Sequence, residues 1–221
     1  MGKTKALTLL LLAIIAVSGI QINRQARRAG PDSETYKTVV IKKDRHFSTP
    51  WYFNWENIDR QELAWLWNES HVYDLGNSNQ RDWNKLTGIS LHLFTNHKNS
   101  ALIGWRYTDG DPEIPGDEFI EISPYFHKNG ERYKADEEGS EIPIARARVG
   151  DWTNTYINLM DPNFNAIAIT ILTPIDTIYY ELTYDIDIDR RARKINPWFG
   201  GDEMAPKDIY FRYKLVEPDP E

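Results

Sequence analysis

Apolar and polar side chains alternate with a period of two along much of this chain, and this pattern constrains the fold more than any other feature. The clearest stretch is 177–189, where isoleucine, leucine and tyrosine recur on one side and threonine, glutamate and aspartate on the other. Residues 209–215 and 87–93 alternate in the same way. Successive side chains of a β-strand point to opposite faces, so each stretch predicts a strand with one buried face.

Further short strands are predicted between clusters of turn-forming residues. They lie at 36–42, 100–107, 118–123, 142–147, 153–159 and 165–172. The last of these is apolar on both faces, which indicates a central strand. Only 56–67 fits a short helix, and its apolar spacing fits a strand as well. Many short strands without intervening helices predict an all-β fold, an antiparallel β-sandwich of the jelly-roll or concanavalin A-like lectin type.

The first 20 residues are typical of an export signal. Two lysines precede an apolar run over 6–20, which is short for a membrane-spanning helix, and small residues before Gly19 fit a cleavage site. Three arginines follow the run, so an uncleaved membrane anchor is the alternative. We therefore expect a secreted or periplasmic protein. Its predicted segments are a signal peptide or anchor at 1–20, a linker at 21–34, one sandwich domain at 35–216 and an acidic tail at 217–221.

Charge and composition disfavour several classes of ligand. The net charge is −7 and the sandwich segment carries no long run of lysine or arginine, so no nucleic-acid partner is expected. The chain has no cysteine, which excludes disulfides and thiolate metal sites. Its five histidines show no spacing typical of a metal centre. No cofactor is expected. Calcium is the one ion considered, on the strand face of Asp185, Asp187 and Asp189 or at the acidic turn with Asp109, Asp111 and Glu113.

Two short motifs combine glycine, a large aromatic and polar or cationic groups. The first contains His97, Asn99 and Arg106, and the second contains Trp198 followed by the pair Gly200-Gly201. The glycines are expected to adopt positive φ in the loop before the last strand. Residue types of this kind beside predicted strands are those that build a recognition surface.

The first motif belongs to a predicted hairpin between strands 86–94 and 100–107. The expected pairs are Phe94 with Ser100, His92 with Leu102, Ser90 with Gly104, and Gly88 with Arg106. Their common face would be a shallow trough, with small residues on its floor and His92 and Arg106 at its sides. Trp105 has the opposite parity and would point into the core. Filling of the trough by another loop is the alternative.

The trough predicts a non-catalytic, lectin-like secreted domain whose partner is a glycan or polysaccharide. The predicted binding residues are Arg106, His97, Asn99, His92, Trp198 and Trp105. A surface adhesion or assembly module is a second possibility. Contact with a membrane is expected only through an uncleaved N-terminal segment.

A polysaccharide-degrading enzyme on a jelly roll is the main alternative. The strand with Asp185, Asp187 and Asp189 is similar to the Glu-x-Asp-x-Glu strand of laminarinase-like retaining endoglucanases, which would make these residues nucleophile, tuning carboxylate and acid. Strand positions i and i+4 are about 13 Å apart, however, whereas retaining carboxyls lie about 5 Å apart. A polysaccharide lyase would use residues such as His97, Arg106 and Tyr107 around a uronate. The strand signatures of alginate lyases are absent.

Four motifs lie in order between residues 79 and 212. They are the run 82–90, His97-x-Asn99-Ser100 with Gly104-Trp105-Arg106, Asn129-Gly130-x-Arg132, and Phe199-Gly200-Gly201 with Ala205-Pro206. Together they resemble an uncharacterised family of exported bacterial and bacteriophage proteins. The resemblance implies a β-sandwich with no assigned activity. The chain departs from the family pattern at Leu102, where an arginine is usual, and at Lys207, where a histidine usually follows Ala-Pro.

Overall fold

The structure is a computed structural model that describes residues 36–51, 55–95, 98–109, 118–133, 141–159, 165–184 and 191–216. The predicted signal, linker and acidic tail lie outside these residues. Within the described part, regular structure is almost entirely antiparallel β-sheet, apart from two 3₁₀ helices at Glu69–His71 and Ser78–Arg81. None of the described helices has the length and hydropathy needed to span a membrane.

The strands form two sheets of seven strands each within the described residues. In chain order they are β1 Lys37–Ile41, β2 Ser48–Thr49, β3 Trp55–Asn57, β4 Arg60–Leu66, β5 Asn84–Ser90, β6 Ser100–Thr108, β7 Phe119–Lys128, β8 Glu131–Tyr133, β9 Ala145–Ala147, β10 Trp152–Leu159, β11 Ala166–Leu172, β12 Thr177–Thr183, β13 Arg191–Ile195 and β14 Ile209–Leu215. Sheet A has the order β12-β11-β10-β4-β14-β1-β2. Sheet B has the order β3-β13-β5-β6-β7-β8, and β9 also pairs with β7. The predicted antiparallel β-sandwich of the jelly-roll type is confirmed.

The core lies between the two sheets and follows the predicted alternation. In β12, Ile178 and Leu182 are buried while Tyr179 and Glu181 are exposed. The segment 56–67, which fitted a helix or a strand, forms β3 and β4. Because the inner faces of both sheets are apolar and their outer faces carry most polar residues, function is to be sought on the outer faces.

One aromatic cluster dominates the core. The ring of Trp105 has no exposed surface and lies 5.2 Å from the ring of His71 and 5.7 Å from that of Phe211, measured between centroids. The rings of Trp67 and Tyr73 lie within 5.9 Å of it. This placement confirms that Trp105 points into the core, and such a large, tightly surrounded ring is expected to contribute strongly to stability.

Burial of His71 makes the stability of this core depend on pH. Burial, with a smaller contribution from the charge of Lys207, lowers the pKa of His71 from 6.5 to about 3, against the effect of its hydrogen bond to Asn68. The native state therefore keeps His71 neutral where the unfolded state takes up a proton. The part of the stability that depends on neutral His71 is complete above about pH 6.5 and is lost progressively as the pH falls toward about 3.

We expect the free energy of unfolding to fall by up to about 1.4 kcal/mol per pH unit within that window because of His71. Urea unfolding at several pH values measures this slope. His71→Leu should lose this part of the slope, and the same series on His92→Leu controls for loss of a histidine elsewhere. Parallel curves for the wild type and His71→Leu would contradict the assignment.

The β5–β6 hairpin exists, but its predicted register is wrong. Ser90 pairs with Ser100, Gly88 with Leu102, and Lys85 with Gly104, whereas the prediction paired Gly88 with Arg106. The strand ends at Ser90, whose hydroxyl donates to the backbone oxygens of His92 and Thr95. The pairing also shifts between Lys85 and Thr87. The period-two pattern records neither a side-chain hydroxyl that donates to nearby backbone oxygens nor an irregularity of one residue in the pairing, so neither could be predicted from it.

Side chains cover the floor of the predicted trough. At Gly88 an added Cβ would lie 2.6 Å from the Leu102 side chain. At Gly104 it would lie 3.1 Å from the Trp83 ring and 3.4 Å from the Tyr125 ring. The glycines therefore make room for neighbouring side chains, which replace the open trough with a different polar surface.

The predicted positive φ is confirmed at Gly201, where φ is 73°, while Gly200 serves close packing instead. An added Cβ at Gly200 would lie 2.5 Å from the carbonyl oxygen of Trp83, and one at Gly201 would meet the Asp82 carboxylate. Gly76 has a similar φ of 65° but nothing within 4 Å of its Cβ position.

Gly201→Ala is expected to destabilise the protein more than Gly76→Ala. Both substitutions place a side chain at positive φ, which costs about 1 kcal/mol, but only the first also forces Asp82 to move. Thermal melting of the two variants measures the difference. Equal melting temperatures would show that the contact with Asp82 is relieved without cost.

Candidate active site on the outer face of sheet B

The outer face of sheet B carries a group of polar side chains at its centre. Lys85 comes from β5, Tyr125 and His127 come from β7, and Arg132 comes from β8. Strand alternation puts these residues outward, since their neighbours Leu86 and Phe126 belong to the core. We call these four residues the lysine–tyrosine cluster.

Lys85 is a lysine in the middle of a sheet with only 7% of its surface exposed. Its Nζ donates to the backbone oxygen of Trp83 at 2.9 Å and lies 4.6 Å from the ring centroid of Tyr125 and 5.6 Å from that of Trp198. Burial, assisted by the charge of Arg132, lowers the pKa of Lys85 to about 8. A lysine with such a pKa is neutral in an appreciable fraction of molecules near neutral pH, so it can accept a proton.

Tyr125 lies between two cationic groups. The Arg132 guanidinium carbon is 4.4 Å from the Tyr125 ring centroid, close to the 4.6 Å of Lys85 Nζ. Burial raises the pKa of Tyr125, against the charge of Arg132, so the phenol stays protonated and can donate. A proton acceptor and a proton donor with opposite pKa shifts therefore share one surface, an arrangement more typical of catalytic sites than of solvated sheet faces.

His127 adds a second titratable ring to the cluster. It is 5% exposed, its ring centroid lies 5.3 Å from that of Tyr125, and its Nδ1 is 3.1 Å from the hydroxyl of Ser100. The Ser100 backbone oxygen in turn accepts from the buried hydroxyl of Tyr184 at 2.7 Å. These contacts fix the orientation of His127 and hold the Tyr125 side of the cluster in place.

The second glycine motif positions Lys85 and Trp198. The backbone of Trp198 pairs with that of Lys85 in both directions, at 2.8 and 2.9 Å. Gly200 lies two residues after Trp198 in the sequence, and an added Cβ at Gly200 would lie 2.9 Å from Lys85 Nζ. The Gly200 amide donates to the side chain of Asn84 at 2.7 Å. The motif thus brings an aromatic ring to the cluster and keeps the space beside the lysine free of side chains.

Arg106, the first predicted binding residue, points outward as expected but is held by neighbouring groups. Its guanidinium pairs with Glu121 at 2.7 Å and donates to the backbone oxygen of Arg81 at 2.9 Å. It also lies 4.4 Å from the ring centroid of Trp83. These contacts tie the segment before β5 to β6 and β7, and they give Arg106 a structural role whether or not it meets a ligand.

Arg106→Ala is therefore expected to destabilise the fold, whereas the sequence alone suggested a surface residue. The variant leaves the Glu121 side chain, which is 13% exposed, without its cation, at an expected cost of about 1 to 3 kcal/mol. Chemical denaturation measures this loss. Glu121→Gln with Arg106→Ala should recover part of it, and strictly additive losses would show that the pair contributes nothing.

The other predicted binding residues are scattered. Asn99 is 5% exposed, and its side-chain oxygen accepts from the Asn129 amide at 2.9 Å, so it caps the β7–β8 turn. His92 lies in the connection after β5, and Trp105 lies in the core, where it cannot touch a ligand on this surface. Only Trp198 adjoins the lysine–tyrosine cluster. His97, Asp185, Asp187 and Asp189 lie outside the described residues, so their roles stay predictions.

A metal site stays a prediction as well. Among the described residues, no group of three histidine or acidic side chains could hold a metal ion. Of the acidic turn considered for calcium, Asp111 and Glu113 lie outside the described part of the chain.

Sequence reasoning missed the cluster although it used the motifs that contain it. Lys85 lies inside the run 82–90, and Arg132 ends the turn Asn129-Gly130-x-Arg132. The available signal was a lysine directly before the predicted strand 86–94, and it is the one charged residue of β5, in which every residue is buried. Tyr125 and His127 follow a proline in the long strand β7, beyond the predicted boundary at 123.

Comparison with known proteins finds similarity in structure but none in sequence. No family model and no curated protein matches the sequence. Among solved structures, the fold is similar to that of alginate lyase Aly36B, with a TM-score of 0.50, 13% identity and coverage of 83% of this chain and 80% of that chain. It is also similar to alginate lyase vAL-1 from Chlorella virus (TM-score 0.47, 12% identity, coverage 85% and 85%) and to the marine PL-14 alginate lyase from Aplysia kurodai (0.46, 14%, 83% and 82%).

At these identities the comparison establishes the sandwich fold. It also corrects the predicted function, because the similar structures are those of lyases. The prediction of a non-catalytic, lectin-like domain is therefore wrong.

Proposed function

We propose that this protein is a polysaccharide lyase that cleaves a uronate-containing polymer on the outer face of sheet B. The observation that carries the proposal is the pairing of Lys85, whose pKa is about 8, with Tyr125 and Arg132 on that face. The likeness of the fold to alginate lyase Aly36B supports it and makes alginate the first substrate to test.

The chemistry of such a cleavage is β-elimination. A base removes the proton on the carbon next to the carboxylate, and its electron pair forms a double bond to the neighbouring ring carbon. The glycosidic oxygen on that carbon leaves and is protonated by an acid, so no water is consumed. Negative charge develops on the carboxylate as the proton departs, and a cation close to it stabilises the transition state.

The lysine–tyrosine cluster supplies each of these groups. We assign the base to neutral Lys85, because its lowered pKa leaves it able to accept a proton. We assign the acid to Tyr125, whose raised pKa keeps it protonated. Arg132 is exposed and next to Tyr125, so it is placed to pair with the uronate carboxylate.

A polymer substrate is consistent with export. A large polysaccharide is met outside the cell, and residues 1–20 have the pattern of a signal peptide. We therefore propose a secreted or periplasmic enzyme, with the uncleaved anchor as the alternative form.

The test is incubation of the full chain with alginate and with other uronate polymers such as pectate and hyaluronan. Elimination gives an unsaturated uronate end that absorbs in the ultraviolet, and we expect this signal together with new reducing ends. New reducing ends without ultraviolet absorbance would mean hydrolysis and would overturn the lyase assignment. An intact polymer with every substrate would count against an enzyme of this class.

A further inference from the structure

Exposed aromatic residues gather in one place beside the candidate active site. Phe47 is 58% exposed, Trp51 is 55% exposed and Phe94 is 83% exposed. A cleft of about 300 Å³ brings them together, and its lining includes Phe47, Trp51, Phe94, Trp198, Arg193 and Lys194. We call it the aromatic cleft. Single exposed aromatics are common, but several around one concavity indicate a binding surface.

The wall of the aromatic cleft is held by the fold. The rings of Phe47 and Trp198 stack with centroids 5.3 Å apart and planes inclined by 26°. Their backbones form a β-bridge, and the Ser48 amide donates to the Pro197 oxygen at 3.2 Å. The exposed ring of Phe47 is thus held against the partly buried ring of Trp198, so a ligand that packs on this wall loses little conformational entropy in ordering it.

The aromatic cleft is continuous with the lysine–tyrosine cluster through Trp198. One contact of Trp198 is with Phe47, in the cleft, and another is with Lys85, whose Nζ lies 5.6 Å from the Trp198 ring centroid. The same residue pairs its backbone with Lys85. A polymer with one ring at Lys85 would therefore have its next rings beside the aromatic cleft.

The composition of the cleft selects among ligands. Aromatic faces pack on the apolar C–H faces of pyranose rings, and Arg193 also lines the cleft. Lys194, which pairs with Glu56 at 2.7 Å, also lines it. Cations beside aromatic rings suit a sugar that carries a carboxylate better than a neutral sugar or an apolar peptide.

We propose that the aromatic cleft is a binding subsite for a uronate ring of the same polymer whose scissile linkage lies at Lys85. This inference rests on the proposed function, because it takes the polymer to be the substrate. It adds a specific role for Trp51 and Phe94, which the chemistry of elimination does not require. It also predicts that contacts in the cleft make the protein bind long polymer chains more tightly than short ones.

The test compares the full chain with Trp51→Ala/Phe94→Ala and with the control Tyr179→Ala, which removes an aromatic that is 59% exposed on sheet A. Binding to alginate and to carboxyl-reduced alginate is titrated with Lys85→Met present in every protein, so that no polymer is cut. Cleavage is measured with Lys85 intact. We expect the double variant to bind alginate about tenfold more weakly than the full chain, and the control Tyr179→Ala to bind it with unchanged affinity. Carboxyl-reduced alginate should bind weakly to all three proteins.

The outcomes separate this inference from the proposed function. Cleavage of alginate with equal binding by the double variant and the control would overturn the subsite and leave the lyase standing. Weakened binding in the double variant, without any elimination by the intact protein, would support uronate binding in the aromatic cleft and overturn the lyase, and with it the scissile linkage at Lys85. Equal binding of the two polymers would overturn the role of charge in the cleft. Failure of the intact protein to bind any uronate polymer would overturn both.

Discussion

Lys85→Met should abolish elimination while leaving the protein folded. A positioned base contributes about 100-fold to 10,000-fold to the rate of such a reaction, and methionine has nearly the same length without the amine. The lysine is 7% exposed, and burial opposes its charge. Replacing a buried cation by an apolar side chain of similar volume is often neutral or stabilising, so the melting temperature should stay the same or rise. Release of unsaturated uronate and thermal melting are the two measurements.

The pH dependence gives this prediction a second readout. If neutral Lys85 is the base, kcat/KM should rise with pH, reach half of its plateau near pH 8, where half of the lysine is deprotonated, and level off above that pH. Tyr125→Phe should lose activity as well, since the ring and its packing remain while the donor is removed. A matched control is Lys37→Met, on β1 of the other sheet. Full activity in folded Lys85→Met would remove Lys85 from the mechanism, and a fall in its melting temperature would contradict the expected effect on stability.

The strands were predictable from the sequence because a single rule governs them. Where one face is buried, the alternation of apolar and polar residues records it directly, as in β12 and β14. The turn at Asn129-Gly130 was predictable too, since both residues have positive φ and asparagine followed by glycine is the usual way to achieve it. These features depend on neighbours in sequence, so the sequence alone contains them.

The candidate site was not predictable in the same way, because it depends on register between strands. Lys85 faces Gly104 only because of the irregularity next to Leu86, and it meets Trp198 only through a bridge from a distant segment. The strand β5 also ends at Ser90, whose hydroxyl donates to the backbone oxygen of His92, whereas the prediction continued the strand to residue 94. The predicted trough therefore placed Arg106 at its side, where the structure instead pairs Arg106 with Glu121.

The properties of the two faces of β6 explain why the predicted motif mixed structural and functional residues. Outward positions lie at Gly104 and Arg106, and inward positions lie at Ile103 and Trp105. A motif written as consecutive letters joins both faces, although only one of them can meet a ligand. The lysine–tyrosine cluster, in contrast, takes one outward residue from each of several strands, which no local motif reveals.

Trp105→Ala is expected to be the most destabilising single substitution among those considered. The ring has no exposed surface and packs against Trp67, Tyr73 and Phe211, so its removal leaves a large cavity between the sheets. Losses of about 3 to 5 kcal/mol are usual for such a deletion. For a chain of this length that corresponds to a fall in melting temperature on the order of 10 °C.

Trp51→Ala is the matched control for Trp105→Ala, because it deletes the same side chain where 55% of its surface is already exposed. Its melting temperature should stay within a few degrees of the wild type, as for most surface substitutions. The pair also separates the two roles of tryptophan in this protein. Trp105→Ala should lose structure and, with it, activity, whereas Trp51→Ala should keep its structure and weaken polymer binding alone. Similar melting temperatures for the two variants would mean that the core tolerates the cavity, and that Trp105 does not hold sheet B in the position that brings Lys85 to Tyr125.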